Sequence, residues 1–123
     1  MLLDTHVVLW SLFEPELLGR DAVEALRSRD TERVVSVATL WEIAIKRAAG
    51  RLVAPDSLPA FLVDKRHEIL PVLADHAWRV SALPMEHGDP FDRLLVAQAQ
   101  VEGIPLVTHD RQLERYDVRI IRA

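Results

Sequence analysis

The sequence predicts an α/β domain with a mostly parallel central sheet and helices packed on both faces. Short apolar runs rich in β-branched residues alternate along the chain with longer segments of helical pattern, and this alternation is typical of parallel sheets. Half of the 123 residues are hydrophobic, which suffices for one ordinary core and excludes a disordered chain. No repeat or linker-like stretch interrupts the chain, so we expect a single domain over residues 1–123.

Five short apolar runs are the candidate strands of this sheet, at Met1–Leu3, Arg33–Val37, Ile69–Leu73, Ile104–Thr108 and Arg119–Ile121. Segments with helical character separate them, at Thr5–Phe13, Gly19–Arg29, Ala38–Ala49, Ser57–His67, Asp75–Leu83 and Pro90–Glu102, with a short turn near Arg111–Arg115. Right-handed crossovers connect the strands in such an arrangement. Ligands of open parallel sheets bind beyond the carboxyl ends of the strands, so polar residues that directly follow a strand are the first candidates for function.

The composition excludes several functional classes. The chain has no cysteine, which excludes disulfides, thiolate zinc sites, iron–sulfur clusters and thiol catalysis. The longest charge-free strings, such as Thr5–Phe13, fall short of the roughly 18 apolar residues that a membrane span needs, and we therefore expect a cytoplasmic protein without membrane contact. The formal charge of −4, from 15 basic and 19 acidic residues, argues at first against a nucleic-acid partner.

Acidic residues follow three of the predicted strands. Asp4 follows the first strand and Asp110 the fourth, and each can also serve as the N-cap of the next helix. Glu42 comes just after the second strand, where Thr39 and Glu42 have the spacing of a capping box. Lys46 stands at the i+4 position from Glu42, the spacing of a surface ion pair. The spacing alone does not establish that the Glu42 side chain is exposed to solvent, however, because its neighbours are mostly apolar.

Two more carboxylates precede and open the predicted helix Pro90–Glu102. Pro90 suits the first helical position, which makes Asp89 the N-cap and places Asp92 in the first turn. The helix is apolar nearly all round and must be largely buried. Asp92 is therefore expected to point into the protein, where a carboxylate needs a cation or several donors.

Taken together, Asp4, Glu42, Asp92 and Asp110 are predicted to meet at one edge of the sheet. Clustered carboxylates repel one another unless a cation lies between them, and oxygen ligands without thiolates select Mg²⁺ or Mn²⁺. A metal ion held by such a set of carboxylates activates water for phosphodiester cleavage. Without these four acids the chain has 15 acidic and 15 basic residues, so the net negative charge can be assigned to the predicted site and does not exclude a nucleic-acid substrate.

Four segments carry a further pattern. They are Leu2-Leu3-Asp4-Thr5-His6 with Leu9-Trp10, then Leu40-Trp41-Glu42-Ile43-Ala44-Ile45-Lys46, then Asp89-Pro90-Phe91-Asp92-Arg93-Leu94-Leu95 with Ala97-Gln98-Ala99, and finally Leu106-Val107-Thr108-His109-Asp110. As a set these segments span nearly the whole chain. On them the chain resembles a PIN-domain ribonuclease of the VapC type, the toxin half of a bacterial toxin–antitoxin pair.

The resemblance implies an Mg²⁺-dependent endoribonuclease, with Mn²⁺ as a substitute, that leaves a 5′-phosphate and a 3′-hydroxyl. The acidic quartet of that family maps onto Asp4, Glu42, Asp92 and Asp110. As a hypothesis, Asp4 and Asp92 hold the first Mg²⁺, while Glu42 and Asp110 complete the cage directly or through water. The quartet is predicted to be both metal-binding and catalytic.

Other residues are predicted to support the site or to lie outside it. The resemblance places Thr108 near the site as a hydroxyl ligand or an orienting group, and Asp89 is a helix cap that can also reach the metal. We assign Lys46 to substrate phosphate. Arg93 and Arg111 either contact phosphate or balance the neighbouring acids, with charge balance favoured for Arg111.

The histidines and tryptophans near these motifs are left out of the predicted site. His6 and His109 flank the carboxylates, but metal-activated water needs no histidine base. Tryptophans can stack on unpaired bases, yet core or interface packing is the better expectation for residues in apolar helical runs. This applies to Trp10, Trp41 and Trp78.

The segment Thr5–Phe13 is more apolar than a surface helix requires. With Ala60, Phe61 and Leu62 it is a candidate protein-binding groove or homodimer seam, or else ordinary core. The resemblance supplies an antitoxin as the partner for such a groove, with basic residues that reach the acidic site. We therefore expect RNA as substrate, a cognate antitoxin, a homodimer and a higher toxin–antitoxin complex.

Two alternatives remain open at the sequence level. A receiver-like signalling domain is also a small α/β fold that binds Mg²⁺, but it needs an acidic pair after the first strand, where Asp4 stands alone. The second alternative is a catalytically silent PIN-like module that binds RNA or protein. The complete acidic quartet argues against that module, because a site without metal has no reason to tolerate the repulsion.

Overall fold

The fold is a layered α/β arrangement in a computed structural model that describes residues 1–85 and 88–123. The strands are β1 Leu2–Leu3, β2 Arg33–Ser36, β3 His67–Leu70, β4 Leu106–Thr108 and β5 Ile120–Arg122. The α-helices in the described residues are α1 Thr5–Phe13, α2 Arg20–Arg27, α3 Val37–Ala48, α4 Leu58–Asp64, α5 Ala74–Arg79 and α6 Pro90–Glu102. Short 3₁₀ turns lie at Pro15–Leu17, Val80–Ala82 and Arg111–Arg115.

The strands form one parallel sheet in the order β3-β2-β1-β4-β5. Successive residues of the central strand β1 enter different cores: Leu3 belongs to one hydrophobic cluster and Leu2 to the other. This is the period of two of a strand buried on both faces. The first cluster includes Val7 of α1 and Leu62 of α4, and the second includes Leu95 of α6. The predicted fold class, with helices on both faces, is therefore confirmed.

Most predicted element boundaries differ from the structure by two residues or fewer, but the region around β3 was placed wrongly. The strand runs over His67–Leu70 instead of Ile69–Leu73, because Pro71 has no N–H to continue a ladder. The helix predicted to reach His67 ends at Asp64, and Arg66 then takes a positive φ of 63°, which ends helical geometry before β3 begins. The predicted helix to Leu83 likewise ends at Arg79 and continues as a 3₁₀ turn.

No helix in the described part of the chain is long and apolar enough to cross a bilayer. Core or interface packing was expected for the tryptophans, and the exposure of two of them excludes the core for those two and leaves interface packing as a prediction. Trp41 is 61% exposed and Trp78 is 82% exposed, whereas Trp10 is half-buried.

Candidate active site

Asp4 and Asp110 lie at the carboxyl ends of the neighbouring strands β1 and β4. Both are N-caps, as the sequence allows: Asp4 Oδ1 accepts from the Val7 N–H at 2.9 Å and Asp110 Oδ1 from the Gln112 N–H at 2.9 Å. Because β1 and β4 are paired in parallel, the two caps lie at the same edge of the sheet. Capping therefore brings these carboxylates together without consuming all of their lone pairs.

Glu42 is buried on the second turn of α3, with 6% of its surface exposed. The capping box predicted for Thr39 and Glu42 is wrong, because the cap of α3 is Ser36, whose hydroxyl accepts from the Ala38 N–H at 3.0 Å. The predicted pair is confirmed, since Lys46 Nζ lies 2.8 Å from Glu42 Oε2.

Asp89 and Asp92 are held by the first turn of α6. Asp89 is the N-cap, as predicted, and its Oδ1 accepts from the N–H groups of Phe91 at 2.8 Å and Asp92 at 3.3 Å. Pro90 occupies the first helical position, where the missing N–H costs nothing. Both carboxylates are half-buried, so the sequence was right that Asp92 is not a fully exposed residue.

These carboxylates converge on one cavity of about 200 Å³. Its lining comes from the ends of β1 and β4 and from α1, α3 and the start of α6: Asp4, Thr5, His6, Glu42, Lys46, Asp89, Asp92, His109 and Asp110. The structure thus brings together the whole predicted quartet with Asp89 and Lys46. Thr108 is buried behind this lining, where its hydroxyl donates to Asp4 and accepts from the Asp110 N–H at 3.1 Å.

The cavity is strongly acidic, with five carboxylates around one lysine ammonium group. Burial raises the pKa of the Asp4 carboxyl above its usual value, although hydrogen bonds from the Thr108 hydroxyl and the Val7 N–H oppose the shift. Asp4 is 3% exposed, so little water solvates its charge. A cation placed in the cavity would therefore relieve both the desolvation and the repulsion.

The donor set fits Mg²⁺ or Mn²⁺ in chemistry, because five carboxylates and a hydroxyl supply hard oxygen ligands. The side-chain conformations differ from those of a loaded site: within residues 1–85 and 88–123, no group of three or more acids or histidines already has the geometry to hold an ion. Glu42 illustrates this difference, because both of its carboxylate oxygens already have partners. One contacts Lys46, and the other accepts from the Thr5 hydroxyl at 2.6 Å. An ion bound by Glu42 would compete with Lys46 for this carboxylate.

Arg93 has a structural role that the sequence did not predict. Its guanidinium donates to the carbonyls of Pro84 at 2.7 Å and Val80 at 3.2 Å, and to the hydroxyl of Tyr116 at 3.2 Å. It is 8% exposed and absent from the cavity lining. The residue next to Asp92 therefore anchors the start of α6 and neither contacts phosphate nor balances the site, because α6 turns its side chain to the opposite side.

Four residues near the cavity were missed or set aside at the sequence level. Thr5 positions Glu42 through its hydroxyl, and its place directly after Asp4 in the first helical turn was the available signal. His6 and His109 line the cavity, and Trp10 packs against both of their rings. Sequence reasoning considered His6 and His109 together but did not connect Trp10 with them, because the contact among the three rings joins α1 to the end of β4.

Comparison with known proteins identifies the family to which this fold belongs. The PIN domain profile matches residues 1–119. Ribonuclease VapC22 of Mycobacterium tuberculosis is 31% identical over 119 residues, which cover 94% of this chain and 91% of the relative. The chain therefore belongs to the PIN-domain family, and within it to the VapC-type ribonucleases. The recognition of a VapC-type toxin from its four motifs is confirmed.

Solved structures show the same fold at lower sequence identity. VapBC2 from Rickettsia felis, bound to a DNA fragment from its promoter, has a TM-score of 0.73 at 17% identity and covers 98% of this chain and 96% of that chain. DNA-bound VapBC from Salmonella typhimurium has a TM-score of 0.73 at 21% identity, with the same coverage of both chains. A toxin–antitoxin complex from Klebsiella pneumoniae has a TM-score of 0.59 at 21% identity, covering 89% and 85%.

Proposed function

We propose that this chain is a cytoplasmic Mg²⁺-dependent endoribonuclease that acts as the toxin of a VapBC-type pair. The observation that carries the proposal is the convergence of Asp4, Glu42, Asp92 and Asp110 on one acidic cavity at the carboxyl edge of the sheet. The 31% identity to a ribonuclease over most of both chains supports the same activity. The family match leaves no support for the receiver-like alternative.

The carboxylates are proposed to hold the metal, with Asp4 and Asp92 as the principal ligands and Glu42 and Asp110 completing the set. A bound Mg²⁺ would supply the positive charge that activates water and stabilises the leaving oxygen of a phosphodiester. Asp89 fixes the first turn of α6, which carries Asp92. Thr108 bridges the Asp4 carboxylate and the Asp110 backbone, so its role is to hold two ligands in position.

Lys46 is proposed to change partner during the reaction. It neutralises Glu42 in the structure at 2.8 Å, and its side chain is 39% exposed, so the ammonium group is open to solvent on one side. When Glu42 turns toward a metal, Lys46 is released to contact substrate phosphate. This combines the predicted phosphate role with the observed ion pair.

The test is RNA cleavage by the purified chain in Mg²⁺, compared with Asp4→Asn and Asp92→Asn. Each variant keeps a side chain of the same shape but loses the negative charge. We expect the cleavage rate to fall at least about a hundredfold, because metal-held charge contributes several kcal/mol to such reactions. Products should carry a 5′-phosphate and a 3′-hydroxyl.

Mn²⁺ binding measured by electron paramagnetic resonance gives a second readout that does not depend on cleavage. Binding should weaken in Asp4→Asn and Asp92→Asn, whereas Asp64→Asn, an exposed carboxylate on α4, should match the wild type in both assays. Cleavage at the wild-type rate by either site variant would overturn the assignment. Mn²⁺ binding without cleavage of any RNA would favour the catalytically silent module.

The antitoxin is proposed to occupy a groove beside α1 and α4. A cavity of about 480 Å³ is lined by apolar side chains of these helices and their neighbours, among them Leu12, Leu18 and Phe61. The basic residues Arg27, Arg33 and Lys65 belong to the same lining. Of the predicted groove residues, Val7, Val8 and Leu62 are core. An amphipathic helix with acidic residues beside its apolar face suits the remaining surface. Leu12→Asp should weaken capture of the co-expressed antitoxin without abolishing RNA cleavage.

A second copy of the chain is proposed to cover the outer face of α3. Val37, Trp41 and Ile45 repeat every four residues and are 41%, 61% and 46% exposed, so they form one apolar stripe. Trp41 also packs edge-on against Phe91, with ring centroids 5.2 Å apart, which extends the stripe onto α6. Sedimentation should show a dimer that Trp41→Glu dissociates, and a monomeric wild type would reject this interface.

A further inference from the structure

Three aromatic rings form a cluster beside the acidic cavity, which we call the aromatic rim: His6, Trp10 and His109. The ring centroids are 5.8 Å apart for His6 and Trp10, 5.0 Å for His6 and His109, and 4.8 Å for Trp10 and His109. Each ring therefore contacts the other two. The cluster joins the first turns of α1 to the residue that follows β4.

The aromatic rim belongs to the surface and not to the core. His6 and His109 are exposed and Trp10 is half-buried, whereas neither hydrophobic cluster of the protein includes any of them. Within residues 1–85 and 88–123, their ring nitrogens make no hydrogen bond to the chain. Because His6 and His109 are exposed, part of the aromatic surface of the cluster is open to a planar ligand.

The position of the aromatic rim relates it to the chemistry of the cavity. His6 and His109 line the same cavity as the carboxylates. His6 lies two residues after Asp4, and His109 lies directly before Asp110. Because Asp4 and Asp110 are locked by their capping bonds, the rings are held at a defined place beside the proposed metal ligands.

We infer that the aromatic rim stacks an unpaired nucleobase of the RNA next to the phosphate that is cleaved. Carboxylates and metal engage the phosphate, which is the same in every nucleotide, so base contact must come from other groups. Aromatic rings stack on single-stranded bases with little dependence on sequence. The inference rests on the proposed ribonuclease function and adds substrate-positioning residues to it.

The first experiment uses a protein in which Trp10 is the sole tryptophan. The chain contains three tryptophans, and Trp41→Phe with Trp78→Phe changes two exposed rings. The added substitution Asp92→Asn, with Mg²⁺ omitted, keeps cleavage negligible during the titration. Addition of a short unstructured RNA should quench Trp10 fluorescence with a saturable isotherm. A matched protein that retains Trp78 instead should show no quenching, because Trp78 lies on α5 outside the cavity lining.

The second experiment is a double-mutant cycle between protein and RNA. In the active protein, Trp10→Leu should raise KM about 5- to 140-fold, the range expected for loss of one stacked base, with a smaller effect on kcat. An abasic nucleotide beside the cleavage site should raise KM by a similar factor. The two changes together should be no worse than either alone, because both remove the same contact.

His109→Ala separates loss of base stacking from loss of folding, because His109 is exposed and its truncation leaves the hydrophobic core unchanged. It should also raise KM, whereas Trp78→Ala should not. The inference is overturned if RNA is cleaved but KM is unchanged in Trp10→Leu and His109→Ala, or if the effects of Trp10→Leu and the abasic site multiply. If the wild type cleaves no RNA, the proposed function fails first, and quenching of Trp10 still reports whether the rim binds a base.

Discussion

The hydrogen bond from Thr5 to Glu42 yields a prediction for the substitution Thr5→Val. Thr5 Oγ1 donates to Glu42 Oε1 at 2.6 Å between two buried residues, and a hydrogen bond to an ionised group contributes about 1.5–3 kcal/mol. Valine has nearly the shape of threonine and a similar helix propensity. The free energy of unfolding should therefore fall by about 1.5–3 kcal/mol, a large share of the ~5–15 kcal/mol typical of a domain.

The same substitution should lower the affinity of the site for the metal ion. Thr5 orients one oxygen of Glu42 while Lys46 holds the other, and loss of a group that orients a metal ligand usually lowers metal affinity about 10- to 100-fold. Because Glu42 is a proposed ligand, the Mg²⁺ concentration that gives half-maximal cleavage should rise by about tenfold or more. The maximal rate at saturating Mg²⁺ should change less.

Urea unfolding measures the first effect and Mg²⁺ titration of cleavage measures the second. Thr5→Ser is the matched control, because serine restores the hydroxyl and should recover most of both losses. The reasoning is refuted if Thr5→Val loses less than about 0.5 kcal/mol, the range of an ordinary surface change, or if Thr5→Ser behaves like Thr5→Val.

Three further predictions concern the scaffold. Arg93→Met should lower the unfolding free energy by about 3 kcal/mol or more in urea titrations, because it leaves two carbonyls and a phenol without their donor; a loss under 1 kcal/mol would contradict the anchoring role. Gly103→Ala should cost about 1 kcal/mol, since the residue has a φ of 65° with open space around it, whereas Gly88→Ala, also in open space without a positive φ, should be nearly neutral. Burial lowers the pKa of His67 below its ordinary 6.5, so the free energy of unfolding should decrease as the pH falls below 6.5, where the unfolded chain binds the proton more readily. His67→Asn can still donate to the Leu62 carbonyl as Nδ1 does, and it should flatten the dependence of stability on pH between pH 7 and 5. An unchanged slope would reject this assignment.

Capping analysis shows how far local sequence reasoning reaches. The sequence identified Asp4, Asp89 and Asp110 as helix N-caps, and all three accept backbone N–H bonds. A capping role was weighed against a functional one, yet the two coincide in this fold. The carboxyl end of a parallel strand is also the start of the next helix, so the cap already lies where ligands bind.

The errors in side-chain placement came from contacts between elements that are distant in the sequence. The orientation of Arg93 was open at the sequence level because its acceptors lie up to 23 residues away along the chain. The sequence left open whether Glu42 forms a surface ion pair or belongs to the site. In the structure Glu42 is buried and is also paired with Lys46. Its burial involves Thr5 of α1, whose hydroxyl donates to Glu42 and which local spacing within α3 does not reveal.

The sequence by itself determined the fold class, the strands at the sheet centre and the identity of the acidic residues, because apolar periodicity and capping act over a few neighbouring residues. Tertiary structure decided which side chains meet. The β3-β2-β1-β4-β5 order placed the ends of β1 and β4 side by side, so Asp4 and Asp110 share a cavity although they lie far apart in sequence. The same pairing assembled the aromatic rim from His6, Trp10 and His109, a contact that no local pattern encodes because it forms only when the sheet brings its two strands together.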